Sequence, residues 1–131
     1  MIRYLIAANS VVYAMDVGND RLVERIAACE EGELAISVIS YAEVAYGTYV
    51  GKPPPEEVLE AFLKQVPMVP FDEAAAREYA RLPFKRARFD RLLAAHALSI
   101  GATVVTNTED DFADVPGLKI ENWAADATDT R

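Results

Sequence analysis

Carboxylate and carboxamide side chains follow three β-rich segments of this sequence and open one long apolar helical segment. They are Asn9, Glu43, Asp90, Asp110 and Asp111. Because the carboxyl ends of parallel strands form the site-bearing edge of a sheet, we expect these side chains to gather there. Oxygen ligands suit hard divalent cations such as Mg²⁺, which keep several waters. Such a cluster would hold one or two ions that activate a water against a phosphodiester.

Each of these residues also has a purely structural interpretation. Glu43 follows Ser40 by three residues, the S-x-x-E spacing of a capping box at a helix start, and we weigh that role equally with catalysis. Asp90 fits a first-turn acid favoured by the helix dipole, although its apolar neighbours indicate partial burial. Asn9 fits a helix cap. In the acidic turn at 109–114, at least one aspartate is expected to be plain solvated surface.

His96 is the only histidine and a tempting general base. It follows Asp90 by six residues, which is about 120° around a helix of 3.6 residues per turn. The two side chains therefore do not share a helix face, and we expect His96 to be structural.

Short β-rich segments alternate with longer helical ones along the chain, which predicts a parallel sheet covered on both faces. The predicted strands are 3–6, 34–37, 66–71, 103–106 and 118–120. The predicted helices begin near Ser10, Asp20, Ser40, Glu56, Glu73 and Phe89, with Asn9 or Ser10 as the candidate cap of the first and Asp20 as that of the second. Gly101 is expected to end the last helix.

The composition is that of one ordinary globular domain, which we place at 1–125 with a frayed tail at 126–131. No apolar run approaches the roughly 20 residues of a membrane span. A single cysteine excludes an intrachain disulfide and fits the cytoplasm. The net charge of −8 suits either plain solubility or a carboxylate cluster that needs cations and a basic partner.

A basic cluster, Lys85, Arg86 and Arg88, precedes Asp90. These side chains could contact phosphates of a nucleic acid. We give slightly more weight to a solvated loop in an otherwise acidic protein.

Six segments, in order over nearly the whole chain, resemble PIN-domain proteins, specifically the VapC-type toxins of bacterial toxin–antitoxin pairs. They are YLIAANSVV (4–12), ISVISYAEVAYG (36–47), VPFDEAAAREYA (69–80), RFDRLLAAHAL (88–98), ATVVTNTEDDF (102–112) and VPGLKIENW (115–123).

The resemblance assigns roles to individual positions. Glu43 and Asp90 match the second and third acids of the family's metal site, and Asn9 matches the last residue of its Asp-x-Asn motif. The Asp of that motif, normally a direct metal ligand, is replaced by Ala7. A methyl group cannot coordinate a cation, so we expect impaired catalysis and weak or absent metal.

The fourth acid of the family lies in the turn after T-N, where Asp110 and Asp111 are both candidates. Thr106 and Asn107 match polar residues at that strand's end, and Arg88 is a further candidate for substrate contact.

The resemblance also implies a three-layer α/β/α fold with a mainly parallel sheet of about five strands. It implies cleavage of RNA with Mg²⁺ or Mn²⁺, a VapB-type antitoxin whose C-terminal segment blocks the site, and a homodimer. Ala7 is either engineered to disarm a toxic nuclease or natural to a degenerate member; the otherwise intact site favours engineering.

Two other functions remain open at this point. One is a catalytically dead binding module that sequesters an antitoxin without cutting RNA, which the substitution at Ala7 supports. The other is a phosphatase or DNA nuclease using the same carboxylates, which competition among RNA, DNA and phosphate esters would separate.

Overall fold

A parallel five-stranded sheet forms the centre of the computed structural model, which describes residues 1–16, 19–83 and 89–125. The strands are β1 (Tyr4–Ile6), β2 (Leu34–Ser37), β3 (Met68–Val69), β4 (Thr103–Val105) and β5 (Ile120–Glu121), in the spatial order β3-β2-β1-β4-β5. Every pairing is parallel, with Leu5 opposite Ala35 on one side and Val104 on the other.

Six helices in the described part of the chain connect these strands. They are α1 (Ala8–Asp16), α2 (Asp20–Ala28), α3 (Val38–Tyr49), α4 (Glu56–Gln65), α5 (Glu73–Arg81) and α6 (Phe89–Ile100), with a 3₁₀ helix at Glu109–Phe112. Gly101 follows α6 at φ +71°, a left-handed conformation that glycine adopts without Cβ strain. The strand–helix alternation of the sequence therefore gives the predicted α/β fold.

The two faces of the sheet bury different clusters because side chains alternate along each strand. Leu5 and Ala7 of the β1 segment face a cluster that includes Leu93, Ala94 and Ala97 of α6. Ile6 faces the opposite cluster, which holds side chains from α1, α2, α3 and α4 such as Val11, Leu22, Val44 and Leu59. This arrangement confirms the predicted three-layer α/β/α architecture.

Two predicted helix starts are wrong, and both belong to helices that carry predicted site residues, Asn9 on α1 and Glu43 on α3. Helix α3 begins at Val38, capped by Ser37, whose Oγ accepts from the Ile39 amide at 3.0 Å. Ser40 is therefore inside the helix and caps nothing. Helix α1 begins at Ala8 rather than after Asn9 or Ser10, because the Ala7 carbonyl already accepts from the Ser10 and Val11 amides.

Three smaller corrections concern element ends. Asn19, not Asp20, caps α2, with its Oδ1 accepting from the Leu22 amide at 2.9 Å. The strand predicted at 66–71 reduces to Met68–Val69 beside flanking prolines, which cannot donate to a sheet. The last strand lies at Ile120–Glu121, later than the predicted 118–120.

The described helices include none that is both long and apolar enough to cross a bilayer.

Candidate functional site

The candidate site lies at the carboxyl edge of the sheet, where β1, β2 and β4 end beside each other. Helix α3 leaves the end of β2 and carries Glu43 in its second turn, while Asp90 lies in the first turn of α6. Helices α3 and α6 pack against each other, so acids from distant parts of the sequence meet at this edge.

Glu43 and Asp90 form the electrostatic centre of the site. Although Glu43 is exposed as a residue, desolvation of its carboxyl group and the negative charge of Asp90 both raise its pKa above the ordinary 4.5. Two carboxylates that repel each other at a partly desolvated position favour a bound cation, because a cation lets both stay charged. This pair is the part of the predicted acid cluster that the structure brings together.

The α6 end that carries Asp90 is held in place by its neighbour Arg91, a residue that is only 7% exposed. The Arg91 guanidinium donates to the Pro83 carbonyl at 2.5 Å and contacts Asp114 Oδ2 at 3.5 Å. These contacts tie the start of α6 to the segments on both sides of it, so Asp90 has a fixed position.

Ala7 occupies the end of β1 and is 5% exposed. Its amide donates to the Val105 carbonyl at 2.8 Å, and its methyl group belongs to the buried cluster on the α6 side of the sheet. Position 7 therefore contributes an apolar wall to the site.

Asn9 lies at the centre of a polar network that joins α1 to the loop after β4. Its Nδ2 donates to Thr108 Oγ1 at 2.8 Å and to Thr106 Oγ1 at 3.4 Å. Its Oδ1 accepts from the Asn107 amide at 3.3 Å, and Ser10 Oγ donates to Asn107 Oδ1 at 2.9 Å. Both amide ends of Asn9 are thus occupied by this loop.

The network gives several predicted site residues a structural role. Thr106 is fully buried and, with Asn107, holds the loop to α1. Sequence reasoning did not assign Thr108 to the site and treated Ser10 only as a candidate cap. The spacing T-N-T after β4 was the available signal, since hydroxyl and amide groups at a strand end favour local hydrogen bonds.

Asp110 and Asp111 lie on the exposed 3₁₀ helix that follows this loop. Among the described residues, no group of three or more His, Cys, Asp and Glu is arranged to hold a metal ion. The acidic turn therefore does not join Glu43 and Asp90 into one such cluster. Arg88, Lys85 and Arg86, and the tail at 126–131, lie outside the described residues.

His96 is structural, as its helical position predicted. It is 2% exposed, its Nδ1 lies 2.7 Å from Ser37 Oγ, and its ring meets the Phe71 ring edge-on at 5.6 Å. Burial lowers the His96 pKa, although the charge of Asp72 opposes this, so burial favours the neutral ring.

The donor set fits a hydrated Mg²⁺ or Mn²⁺ in part. Both ions accept carboxylate oxygens, and Mg²⁺ is commonly held by one or two carboxylates together with water and substrate phosphates. Glu43 and Asp90 can supply these two carboxylates, and the methyl group of Ala7 supplies none.

Comparison with known proteins agrees with this geometry. The PIN domain family model matches residues 4–118. The chain is 27% identical over 133 residues to the tRNA(fMet)-specific endonuclease VapC of Shigella flexneri, covering 95% of this chain and 100% of that protein. It is 28% identical over 130 residues to ribonuclease VapC2 of Rickettsia felis, covering 92% and 97%.

Solved structures show the same similarity. The crystal structure of VapBC2 from Rickettsia felis bound to a promoter DNA fragment matches with a TM-score of 0.82 and 30% identity, covering 94% of this chain and 99% of that one. The DNA-bound VapBC structure from Salmonella typhimurium matches with a TM-score of 0.81 and 27% identity, covering 94% and 99%. The predicted resemblance is confirmed: the chain belongs to the PIN domain family.

Proposed function

We propose that this protein is a metal-dependent endoribonuclease toxin of a toxin–antitoxin pair, impaired as written because Ala7 replaces a metal ligand. The observation that carries the proposal is the Glu43–Asp90 pair, two mutually repelling carboxylates at the carboxyl edge of a PIN-type sheet. The relatives named endonuclease or ribonuclease VapC supply the substrate class.

The site residues have different roles in this proposal. Glu43 and Asp90 would hold Mg²⁺ or Mn²⁺, which when bound supplies an activated water and neutralises charge on the phosphodiester. The network of Asn9, Thr106 and Thr108 keeps the loop after β4 in place beside them. In this assignment Asn9 acts as a positioning residue, and Asp110 and Asp111 act at the exposed border of the site.

The test restores the acid at position 7. Purified Ala7→Asp protein is incubated with tRNA and other RNAs in Mg²⁺ or Mn²⁺, and cleavage products are resolved on denaturing gels. The initiator tRNA is the first substrate to try, because of the relative's name. We expect metal-dependent cleavage that exceeds the parent's by orders of magnitude, since a direct ligand is regained.

The matched control is Ala7→Asn, which has nearly the same shape without the negative charge. It should remain close to the parent. A failure of the Ala7→Asp protein to cut any RNA, with its fold intact, would count against the proposal. Preferential cleavage of DNA or of small phosphate esters over RNA would show that the site acts on another class of substrate.

We also propose the assembly. The solved VapBC complexes that this chain resembles support a VapB-type antitoxin as its partner. A cytoplasmic homodimer bound to that antitoxin is the form we expect in the cell. Co-expression with the adjacent antitoxin gene, followed by mass measurement of the purified complex, tests both partners at once.

A binding module without catalysis is the second candidate function. The buried methyl group of Ala7 favours it, because among the described residues no group of three or more His, Cys, Asp and Glu is arranged to hold a metal ion. The residue encoded at position 7 by the native gene separates the two. A native aspartate rejects the binding-module function, and a native alanine supports it.

A further inference from the structure

Ser40 carries the one buried side-chain oxygen or nitrogen among the described residues for which the structure shows no hydrogen-bond partner. The residue is 0% exposed, in α3. Buried hydroxyl groups are nearly always paired, because burying one without a partner costs free energy. Helical serines commonly bond back to the carbonyl four residues earlier, but this hydroxyl does not.

One hydrogen-bonding contact and one electrostatic interaction between α3 and α6 lie on either side of Ser40 and indicate what it faces. Ser37, at the start of α3, contacts His96, and Glu43, six residues later, feels the charge of Asp90, six residues before His96 in α6. The two segments therefore run antiparallel. Equal spacing along the two helices, Ser40 midway between Ser37 and Glu43 and Leu93 midway between Asp90 and His96, therefore places Ser40 level with Leu93.

Residue 7 lies near Leu93 as well, on the side of the sheet. Ala7 belongs to the buried cluster that contains Leu93 and Ala94. Its neighbours in sequence, Ile6 and Val11, share a cluster with Val44, which is one helical turn after Ser40. Extending the β1–β2 register by two residues also brings Ala7 opposite Ser37, one turn before Ser40.

From this placement we infer that the Ser40 hydroxyl is a positioning group for an acid at position 7: it donates a hydrogen bond to a carboxylate there, and the present methyl group leaves it unpaired. This inference deepens the proposed function, since it assigns a residue that orients the missing ligand.

The test is a double-mutant cycle on folding stability, measured by urea unfolding at pH 7 in EDTA. Its four proteins are the parent, Ala7→Asp, Ser40→Ala and the double variant. Ser40→Ala should leave the parent's unfolding equilibrium constant unchanged or lower it, because an unpaired hydroxyl is removed. In the Ala7→Asp background the same change should raise that constant by about tenfold or more, as for a hydrogen bond to a charged group.

Ala102 provides a matched control position. It is also 5% exposed and lies in the same buried cluster as Ala7, but directly before β4 rather than at the carboxyl edge. Ala102→Asp should destabilise the protein, and Ser40→Ala should have the same effect on the unfolding equilibrium constant in this background as in the parent.

The charge added beside Glu43 and Asp90 could itself unfold the Ala7→Asp protein. In that case the cycle is run with Ala7→Asn, which offers an uncharged oxygen acceptor, and the expected coupling falls to about fivefold. Additive effects in the cycle that folds would overturn the inference.

A crystal structure of the folded position-7 variant gives a second readout. The new side-chain oxygen should lie within hydrogen-bond distance of Ser40 Oγ. An oxygen turned away, or a trapped water on Ser40 in its place, would also overturn the inference. Because neither measurement involves cleavage, an inactive Ala7→Asp protein that shows the coupling would contradict the proposed nuclease function and leave the role of Ser40 standing.

Discussion

The two ends of the contact between α3 and α6 differ in the polar interactions they contain. At one end, the buried His96 ring and the Ser37 hydroxyl form a 2.7 Å contact, and Ser37 also accepts from the Ile39 amide. At the other end, Glu43 and Asp90 bring two negative charges together at the edge of the sheet. The first end satisfies its polar groups and stabilises the fold, whereas the second leaves electrostatic free energy that a cation can relieve.

The contrast shows why a lone histidine was a weaker functional candidate than a pair of acids. A neutral, buried, hydrogen-bonded ring has its polar atom occupied by the protein. Two carboxylates that raise each other's electrostatic energy do not stabilise the fold by that interaction, which makes them the better candidates for a functional site. Changes at either end should therefore affect different measurements.

The largest effect should come from the acid end and appear in cleavage. In the Ala7→Asp background, Glu43→Gln should reduce metal-dependent RNA cleavage by orders of magnitude, because a ligand and a charge are lost together. Initial rates at saturating Mg²⁺ measure this effect. Near-normal cleavage by the variant would show that Glu43 is only an exposed helix acid.

Next in size, His96→Ala should lower the free energy of unfolding by about 2–4 kcal/mol, because it opens a cavity beside Phe71 and leaves Ser37 without its side-chain partner. Urea unfolding at pH 7 measures this loss. At a temperature where the variant is still folded, cleavage in the Ala7→Asp background should stay within a few-fold. A loss as large as that of Glu43→Gln would make His96 part of the chemistry.

A smaller effect is expected for Ser37→Ala, which removes the α3 cap and the partner of His96. The expected loss of stability is about 1–2 kcal/mol, typical of a lost cap with one further hydrogen bond. Ser99→Ala is the control on α6, since Ser99 Oγ only donates to the His96 carbonyl within its own helix at 2.7 Å. Equal losses for the two variants would remove the distinction between the α3–α6 contact and an ordinary helical serine.

The smallest expected effect is a gain in folding stability rather than a loss, and it depends on pH. Because the folded-state pKa of Glu43 is raised above 4.5, the folded protein keeps this proton to higher pH than the unfolded chain does. Folding stability therefore falls as pH rises through the interval above 4.5, and the penalty persists at neutral pH.

Glu43→Gln should remove that penalty, stabilising the protein at pH 7 by less than ~1 kcal/mol because the residue is partly solvated. At pH 4 the variant and the parent should be equally stable. The exposed Glu60→Gln is the control. A Glu43→Gln protein that is less stable than the parent at pH 7 would contradict the repulsion between Glu43 and Asp90.

The sequence determined most of the layout of this protein. The alternation of β-rich and helical segments predicts a parallel sheet with helices on both faces, because only that arrangement buries strands such as Leu34–Ser37 on two sides. It also singled out Glu43 and Asp90, since acids after strand ends or at helix starts lie near the site-bearing edge.

Only the tertiary structure decided which polar residues act together. Ser37 and Ser40 both precede possible helix starts, and their spacing cannot show which one caps α3, because the choice depends on where β2 ends against its neighbours. In the same way, the T-N-T segment after β4 gives no sign that Asn9 is its partner from 97 residues away. Such contacts are set when distant strands are brought together, so the partner of Asn9 and the cap of α3 had to come from the packed structure.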